Sequence, residues 1–235
     1  MLITKTIPPR TERELLERAH ALAGSSLKEV ADELRTSIPQ DLRRAKGWVG
    51  KLLEQVLGAT AGSTAKPDFV DLRIELKTIP IHRGGQPTES TYVCVVPQFD
   101  NIELTWSDSW VRHKLHRVLW IPIESDCAIR LPDRRIGAPL LWSPTAKQEA
   151  ELAADWEELM ELVVLGKVDQ ISGHRGQHLQ IRPKAANAKA RAPGWDHAGY
   201  RIKTLPLGFY LRPSFTRAIL ARNFHIMPNR KLRHP

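Results

Sequence analysis

The sequence predicts a mixed α/β fold of the α+β kind, with a central mixed sheet flanked by helices. Two patterns carry that prediction. Apolar residues recur at helical spacing in some segments and alternate with period two in others, with no internal repeat. The chain has 235 residues, 42% hydrophobic and 26% charged, enough for one large domain or two small ones around a sizeable core. An apolar fraction of that size excludes disorder over most of the length.

The elements follow in order. Residues 11–23 form the first expected helix, with Leu15, Leu16, Ala19, Leu22 and Ala23 on one stripe. Ser26 and Glu29 make a capping box, in which each side chain satisfies the other residue's backbone N–H, and open a second helix to about Leu34. Asp41 is expected to cap a third helix, over 41–57, which Gly58 stops. A Gly/Ser/Thr-rich loop over 59–67 leads into alternation across 69–79. There Val70, Leu72, Ile74 and Leu76 form one face of a strand, and Asp71, Arg73, Glu75 and Lys77 the other. Residues 80–87, with Gly84-Gly85, read as a turn, so the run 91–96 is expected to pair antiparallel with the preceding strand. Residues 118–123 read as a buried strand. Thr145 and Gln148 make a second capping box, opening a long helix to about Leu165 that Gly166 stops. A short strand over 178–181 and a helix over 214–223 complete the set.

Charge is divided unevenly. Residues 171–235 hold 13 Lys+Arg and one acid, Asp196, out of 35 Lys+Arg and 26 Asp+Glu in the whole chain. Residues 1–170 are slightly acidic. Trp195, Tyr200, Phe209, Tyr210 and Phe215 are interleaved with the basic residues, which suits a polyanion, nucleic acid first, better than it suits a solvated tail. No apolar stretch approaches the ~20 residues needed to span a bilayer, so no membrane partner is expected. The N-terminus lacks a signal-peptide core. Cys94 and Cys127 make neither a disulfide framework nor a four-cysteine zinc site. A soluble cytoplasmic protein with reduced thiols is the expectation.

The sharpest chemical pattern is Asp68, then Glu75-Leu76-Lys77 after six intervening residues. Glu75 and Lys77 are two apart on a strand and share a face. A bent approach to the strand would bring Asp68 alongside. Paired carboxylates repel unless a positive charge lies between them, and Mg²⁺ meets that need with oxygen ligands while keeping waters for chemistry. Lys77 beside the metal would orient a water or offset charge on phosphorus. Glu54, on the preceding helix, is a further acidic candidate. The alternative for Asp68, Glu75 and Lys77 is a solvated strand face with an ion pair, and for Glu54 an ordinary surface helix residue.

Longer motifs are more specific. Lys46-Gly47-Trp48-Val49-Gly50, Leu53-Glu54, Gly58-Ala59, Asp68-Phe69 and the run from Ile74 to Pro80 form one set. The runs Val111 to Leu115, Arg117 to Pro122, Pro139 to Pro144, Asp155 to Met160, Gln180 to Lys189 and Gly208 to Leu211 form another. Together, over roughly 11–226, they resemble the MutH family of methyl-directed mismatch-repair endonucleases, in the type II restriction endonuclease-like superfamily.

The resemblance implies a restriction-endonuclease-like fold, one domain over 1–226 with two lobes forming a DNA cleft. Catalytic residues would lie in the N-terminal half and DNA-reading residues in the C-terminal part. A basic tail over 227–235, of a composition that suits disorder, would follow. It implies Mg²⁺-dependent nicking of the unmethylated strand at hemimethylated or unmethylated GATC sites. Asp68, Glu75 and Lys77 would be the catalytic set and Asp68 and Glu75 the metal ligands. Glu54 and Lys46 would support them. Arg182, Pro183 and Lys184 would read bases, Tyr210 would test adenine for methylation, and Glu89 would help read GATC. Tyr92 stands where the family has phenylalanine. The implied partners are double-stranded DNA with GATC sites, MutL as activator and MutS indirectly, with the protein itself a monomer in solution.

The residues agree with that reading where they speak. Arginine on guanine O6 and N7 is the commonest base readout, which suits Arg182. Lys189, Arg191, Lys203 and Arg212 read as phosphate contacts. Pro206 and Gly208 suggest a fixed turn presenting Tyr210. The acids of 145–165, Glu149, Glu151, Asp155, Glu157, Glu158 and Glu161, suggest a solvated or protein-docking face away from DNA. His113 and His116 find no further residues to complete a zinc site. Trp48, Trp120, Trp142 and Trp156 read as core. The alternatives are a restriction endonuclease cutting both strands at GATC, or a DNA-binding module without catalysis.

Overall fold

Local capping chemistry sets where the helices begin. In the computed structural model, Ser26 Oγ accepts from Glu29 N at 3.2 Å while Glu29 Oε2 accepts from Ser26 N at 2.7 Å. Thr145 and Gln148 exchange the same pair of bonds. The element order is α1 (Glu12–Ala21), α2 (Leu27–Glu33), α3 (Trp48–Leu57), β1 (Glu75–Ile81), β2 (Thr91–Val95), α4 (Trp110–Leu115), β3 (Val118–Glu124), β4 (Leu140–Trp142), α5 (Ala146–Val164), β5 (Leu179–Pro183), β6 (Ala192–Trp195), β7 (Arg201–Thr204), β8 (Leu207–Leu211) and α6 (Pro213–Phe224). The structure describes all residues except 1–5, 42–44, 46, 63, 65, 100, 102, 172, 185–189 and 225–235. Lys46, Lys189 and the tail 227–235 therefore lie outside the described residues. Among those described, no helix is long and apolar enough to cross a membrane.

The class is mixed α/β, as the sequence predicts, and the chain divides into two compact units. The first comprises Met1–Thr88, Arg117–Ser143 and Arg217–Pro235. Its sheet is mixed: β1 pairs parallel with β3, and β3 antiparallel with β4. One face of this sheet, with Leu76, Leu119, Ile121 and Ile123, packs on Leu15, Ala19, Leu27, Val30, Leu52, Leu53 and Leu57 from α1, α2 and α3. Each fully buried leucine there contributes about 1.5–3 kcal/mol. Arg117, just before β3, bonds Glu12 at 2.7 and 3.1 Å and so fastens the start of α1 to the sheet.

Three expectations fail in this unit. The third helix starts at Trp48 instead of near Asp41, because Gly47 has φ 86, a left-handed conformation that a right-handed helix excludes. Its end is as expected: Gly58 has φ 80, and a Cβ there would lie 2.7 Å from the Ile7 carbonyl oxygen. The strand expected over 69–79 is instead a turn and then β1, since Arg73 takes φ 55 and reverses the chain. Finally, 91–95 does not pair with β1. The turn after β1 closes locally through the Ile81–Pro87 bridge and a 3.0 Å bond from Thr88 N to Pro80 O, and the chain then leaves the unit. The uninterrupted apolar β3 becomes the partner, in parallel register Glu75↔Val118 to Ile81↔Glu124.

The second unit comprises Glu89–His116 and Pro144–Thr216. Its three-stranded sheet is antiparallel, in the order β2-β8-β5, and a two-stranded ribbon pairs β6 with β7. α5 buries Leu152, Trp156, Leu159, Met160, Leu162 and Val163. Tyr210, expected on a turn, lies within β8, since Leu207, Phe209 and Leu211 alternate as a buried strand face. Trp120, Trp142 and Trp156 are core residues, as predicted.

Candidate active site and DNA-reading face

Period two places Glu75 and Lys77 on one side of β1 and Leu76 on the other, against the helical core. The structure buries both charges, leaving Glu75 5% and Lys77 8% exposed. Lys77 Nζ donates to Glu75 Oε1 at 2.9 Å. Trp120, fully buried, is the register partner of Lys77 on β3 and walls this side of the sheet with Trp142, 6.0 Å away between ring centres. Coulombic interactions in such a dry setting are much stronger than in water.

Asp68 is carried alongside β1 by the turn over Val70 to Arg73, in keeping with the bent approach expected for it. Phe69 and Ile74 exchange two backbone bonds, 2.9 and 3.2 Å, across Val70 to Arg73. This reversal carries Asp68 back along β1, and its Oδ2 accepts from Leu76 N at 2.8 Å. The Asp68 carbonyl accepts from Thr60 N and Ala61 N, anchoring it to the loop after α3. Glu75 N in turn donates to Arg117 O at 3.0 Å. So the Asp68 carboxylate, held by the Leu76 N–H, and the Glu75–Lys77 ion pair both lie at the start of β1. Glu54 sits half-buried on α3, beside buried Leu53. Among the described residues no group of three His, Cys, Asp or Glu is arranged to hold a metal, so Glu54 is not gathered with Asp68 and Glu75 into one ligand set.

The DNA-reading candidates all lie in the second unit. Tyr92 and Tyr210 are register partners across β2 and β8, with ring centres 5.4 Å apart at 65°. Lys184 Nζ lies 3.3 Å from the Tyr92 ring centre, and the Arg182 guanidinium 6.0 Å from that of Tyr210. Arg182, Pro183, Lys184 and Glu89 are exposed, and Tyr210 is half-buried. Burial pushes the Tyr210 phenol above its ordinary pKa, with Arg182 opposing and Glu89 assisting. The hydroxyl is therefore neutral at physiological pH.

Comparison with known proteins decides the family. A family model described as "DNA mismatch repair enzyme MutH" matches residues 57–155. The DNA mismatch repair protein MutH of Serratia proteamaculans is 57% identical over 219 residues, covering 93% of this chain and 96% of its own. That of Enterobacter sp. is 53% identical over 223 residues, 95% and 97% of the two chains, and that of Yersinia enterocolitica 54% over 217 residues, 92% and 95%. The chain belongs to the MutH family. The reading of the sequence as a mismatch-repair endonuclease therefore stands, and MutH membership carries the restriction-endonuclease-like fold with it.

Some residues do other work in this MutH-family chain than the sequence suggests. Arg212, expected on phosphate, spends its guanidinium on the carbonyls of Gly173, Arg175 and Gly176 at 2.7–3.0 Å. Asp155, expected on an acidic surface, is 6% exposed and accepts three backbone bonds, from Gln177, His178 and Leu179. Its neighbours are also engaged: Glu149 bonds Trp106 and Arg112, Glu151 bonds His178, and Glu158 bonds Arg175. The available signal was phase, since Asp155 falls between Leu152 and Leu159 on the apolar stripe of α5. Sequence reasoning also missed Ser90, whose hydroxyl takes a 2.8 Å bond from buried Gln180.

Proposed function

We propose that this chain is a Mg²⁺-dependent endonuclease that nicks the unmethylated strand of hemimethylated or unmethylated GATC sites. The observation that carries it is the buried Glu75–Lys77 pair with Asp68 folded against the same strand. The donor set fits the metal. Carboxylate oxygens are the ligands a hard divalent cation takes, and one or two of them with retained waters suffice for Mg²⁺. Asp68 and Glu75 would hold it. When bound, Mg²⁺ supplies Lewis acidity and an activated water. Lys77 sets the charge balance: its buried ammonium holds Glu75 in place and would offset the negative charge that builds on the phosphate in the transition state. The Leu76 N–H holds the Asp68 carboxylate, and the bond from Glu75 N–H to the Arg117 carbonyl fixes the backbone that presents Glu75, so little reorganisation is needed as charge develops.

In the second unit, Arg182 suits guanine, and the neutral Tyr210 hydroxyl suits the N6 amino group of adenine, which it accepts from directly. An added N6-methyl would collide with a stiff ring held at that distance. Lys184 stands with Arg182 and Pro183 among the base readers, and exposed Lys203 suits phosphates, which position without specifying. A site of four base pairs recurs often in a chromosome, so we place activity under control of MutL, with MutS acting upstream. The protein alone should nick slowly, and MutL with ATP should raise the rate.

Supercoiled plasmid carrying GATC tests the chemistry. Nicked circles in Mg²⁺, none in EDTA, and loss of more than about 10³-fold in Glu75→Ala with DNA binding retained are expected. Linear product from the first turnovers would mark double-strand cutting, and undiminished nicking by Glu75→Ala would remove Glu75 from the site.

A further inference from the structure

The aromatic face of the β2-β8-β5 sheet leaves one position bare. Gly208 is the register partner of Arg182 and stands two residues before Tyr210, so it shares their face. A Cβ built there would lie 3.0 Å from Tyr92 Cε2 and 3.1 Å from Tyr210 Cε2. Carbon atoms pack best at about 3.5–4.0 Å, so a side chain there would force one or both rings to give by a few tenths of an ångström. The backbone gives no other reason for glycine: Gly208 is not among the positive-φ residues, and glycine inside a strand weakens it. Both tyrosine rings lean over this bare backbone, edge to face, with Lys184 held 3.3 Å from the ring centre of Tyr92.

We infer that Gly208 is a specificity-positioning residue, whose missing side chain seats Tyr92 and Tyr210 against the sheet and fixes how far Tyr210 and Lys184 extend. This rests on the proposed reading of adenine by Tyr210. Telling an amino group from a methylamino group demands a ring held to a fraction of an ångström, and misplacement by about 1 Å can cost on the order of 10²-fold at a reacting or reading centre. Tyr92 is the prop on the other side. A ring at that position is what the packing uses, so its hydroxyl is dispensable for placement while its aromatic bulk is not.

The test compares nicking rates of the full chain on methylated and unmethylated strands of GATC duplexes. The variants are Gly208→Ala, Gly208→Val, Tyr92→Phe and Tyr92→Leu, with melting temperature measured for each. The preference for the unmethylated strand should fall several-fold in Gly208→Ala and further in Gly208→Val. It should fall in Tyr92→Leu and stay within about two-fold of wild type in Tyr92→Phe. A general loss of stability would lower both rates together and leave their ratio unmoved. If the Gly208 variants do not fold, Tyr92→Leu decides, since it removes a ring without crowding the strand. Wild-type preference in Gly208→Val, or in Tyr92→Leu when that variant decides, overturns the inference. Absence of any preference in the wild-type protein overturns the reading beneath it.

Discussion

Replacing Asp155 by asparagine removes one charge and one acceptor from a position where three backbone donors converge. Asp155 Oδ1 accepts from Gln177 N at 2.7 Å, and Oδ2 accepts from His178 N at 2.6 Å and Leu179 N at 2.8 Å. An asparagine carbonyl can replace Oδ2, but its amide then points its own hydrogens at Gln177 N. Loss of this charge-assisted bond, with its part-buried donor left without an acceptor, costs about 2–4 kcal/mol in total. For a chain of this size each kcal/mol lowers the melting temperature by about 2–4 °C, giving a fall of roughly 5–15 °C. Asp155→Ala, which strands all three donors, should fall further. Thermal unfolding followed by circular dichroism reads this directly. Leu179 begins β5, the strand that carries Arg182, so sequence-specific DNA binding should weaken alongside. Melting within 2 °C of wild type for both variants would refute the role given to Asp155.

Two further outcomes follow from charge. If about five phosphates are neutralised, log K for DNA should fall with a slope near −4 to −5 against log salt, and a flat response would separate the basic C-terminal quarter from DNA binding. The Glu12 carboxyl is held below its ordinary range, first by its hydrogen bond from Arg117. A depressed folded pKa gives stability that is present above the unfolded value and lost as pH falls through the folded one. Glu12→Gln should therefore flatten the loss of stability on the acid side, modestly because the pair is partly exposed, and an unchanged acid slope would contradict it.

Local rules carried further than pairing rules. The capping boxes at Ser26 and Thr145 depend on neighbours three residues apart, and both formed as read. Glu75 and Lys77 share a face because a strand alternates, whatever its partners. Asp68 joins them through a non-glycine residue in the left-handed region, Arg73, which period-two reading cannot show. The parallel pairing of β1 with β3 spans an excursion into the other unit, so no local signal marks it. Gly208 has the composition of a turn and the environment of a strand, because the space it leaves is filled by Tyr92 from another strand. Asp155 looked like one acid among six on α5, and only its phase with the buried leucines set it apart.

Strand choice on hemimethylated DNA tests the central claim most directly. A GATC duplex methylated on one strand, with each strand labelled at its 5′ end, is incubated with the protein in Mg²⁺ and its products are resolved on a denaturing gel. The account predicts cleavage of the unmethylated strand in large excess over the methylated one, no cleavage when both strands are methylated, and none in EDTA. Equal cutting of the two strands of the hemimethylated duplex, or cutting in EDTA, would contradict it.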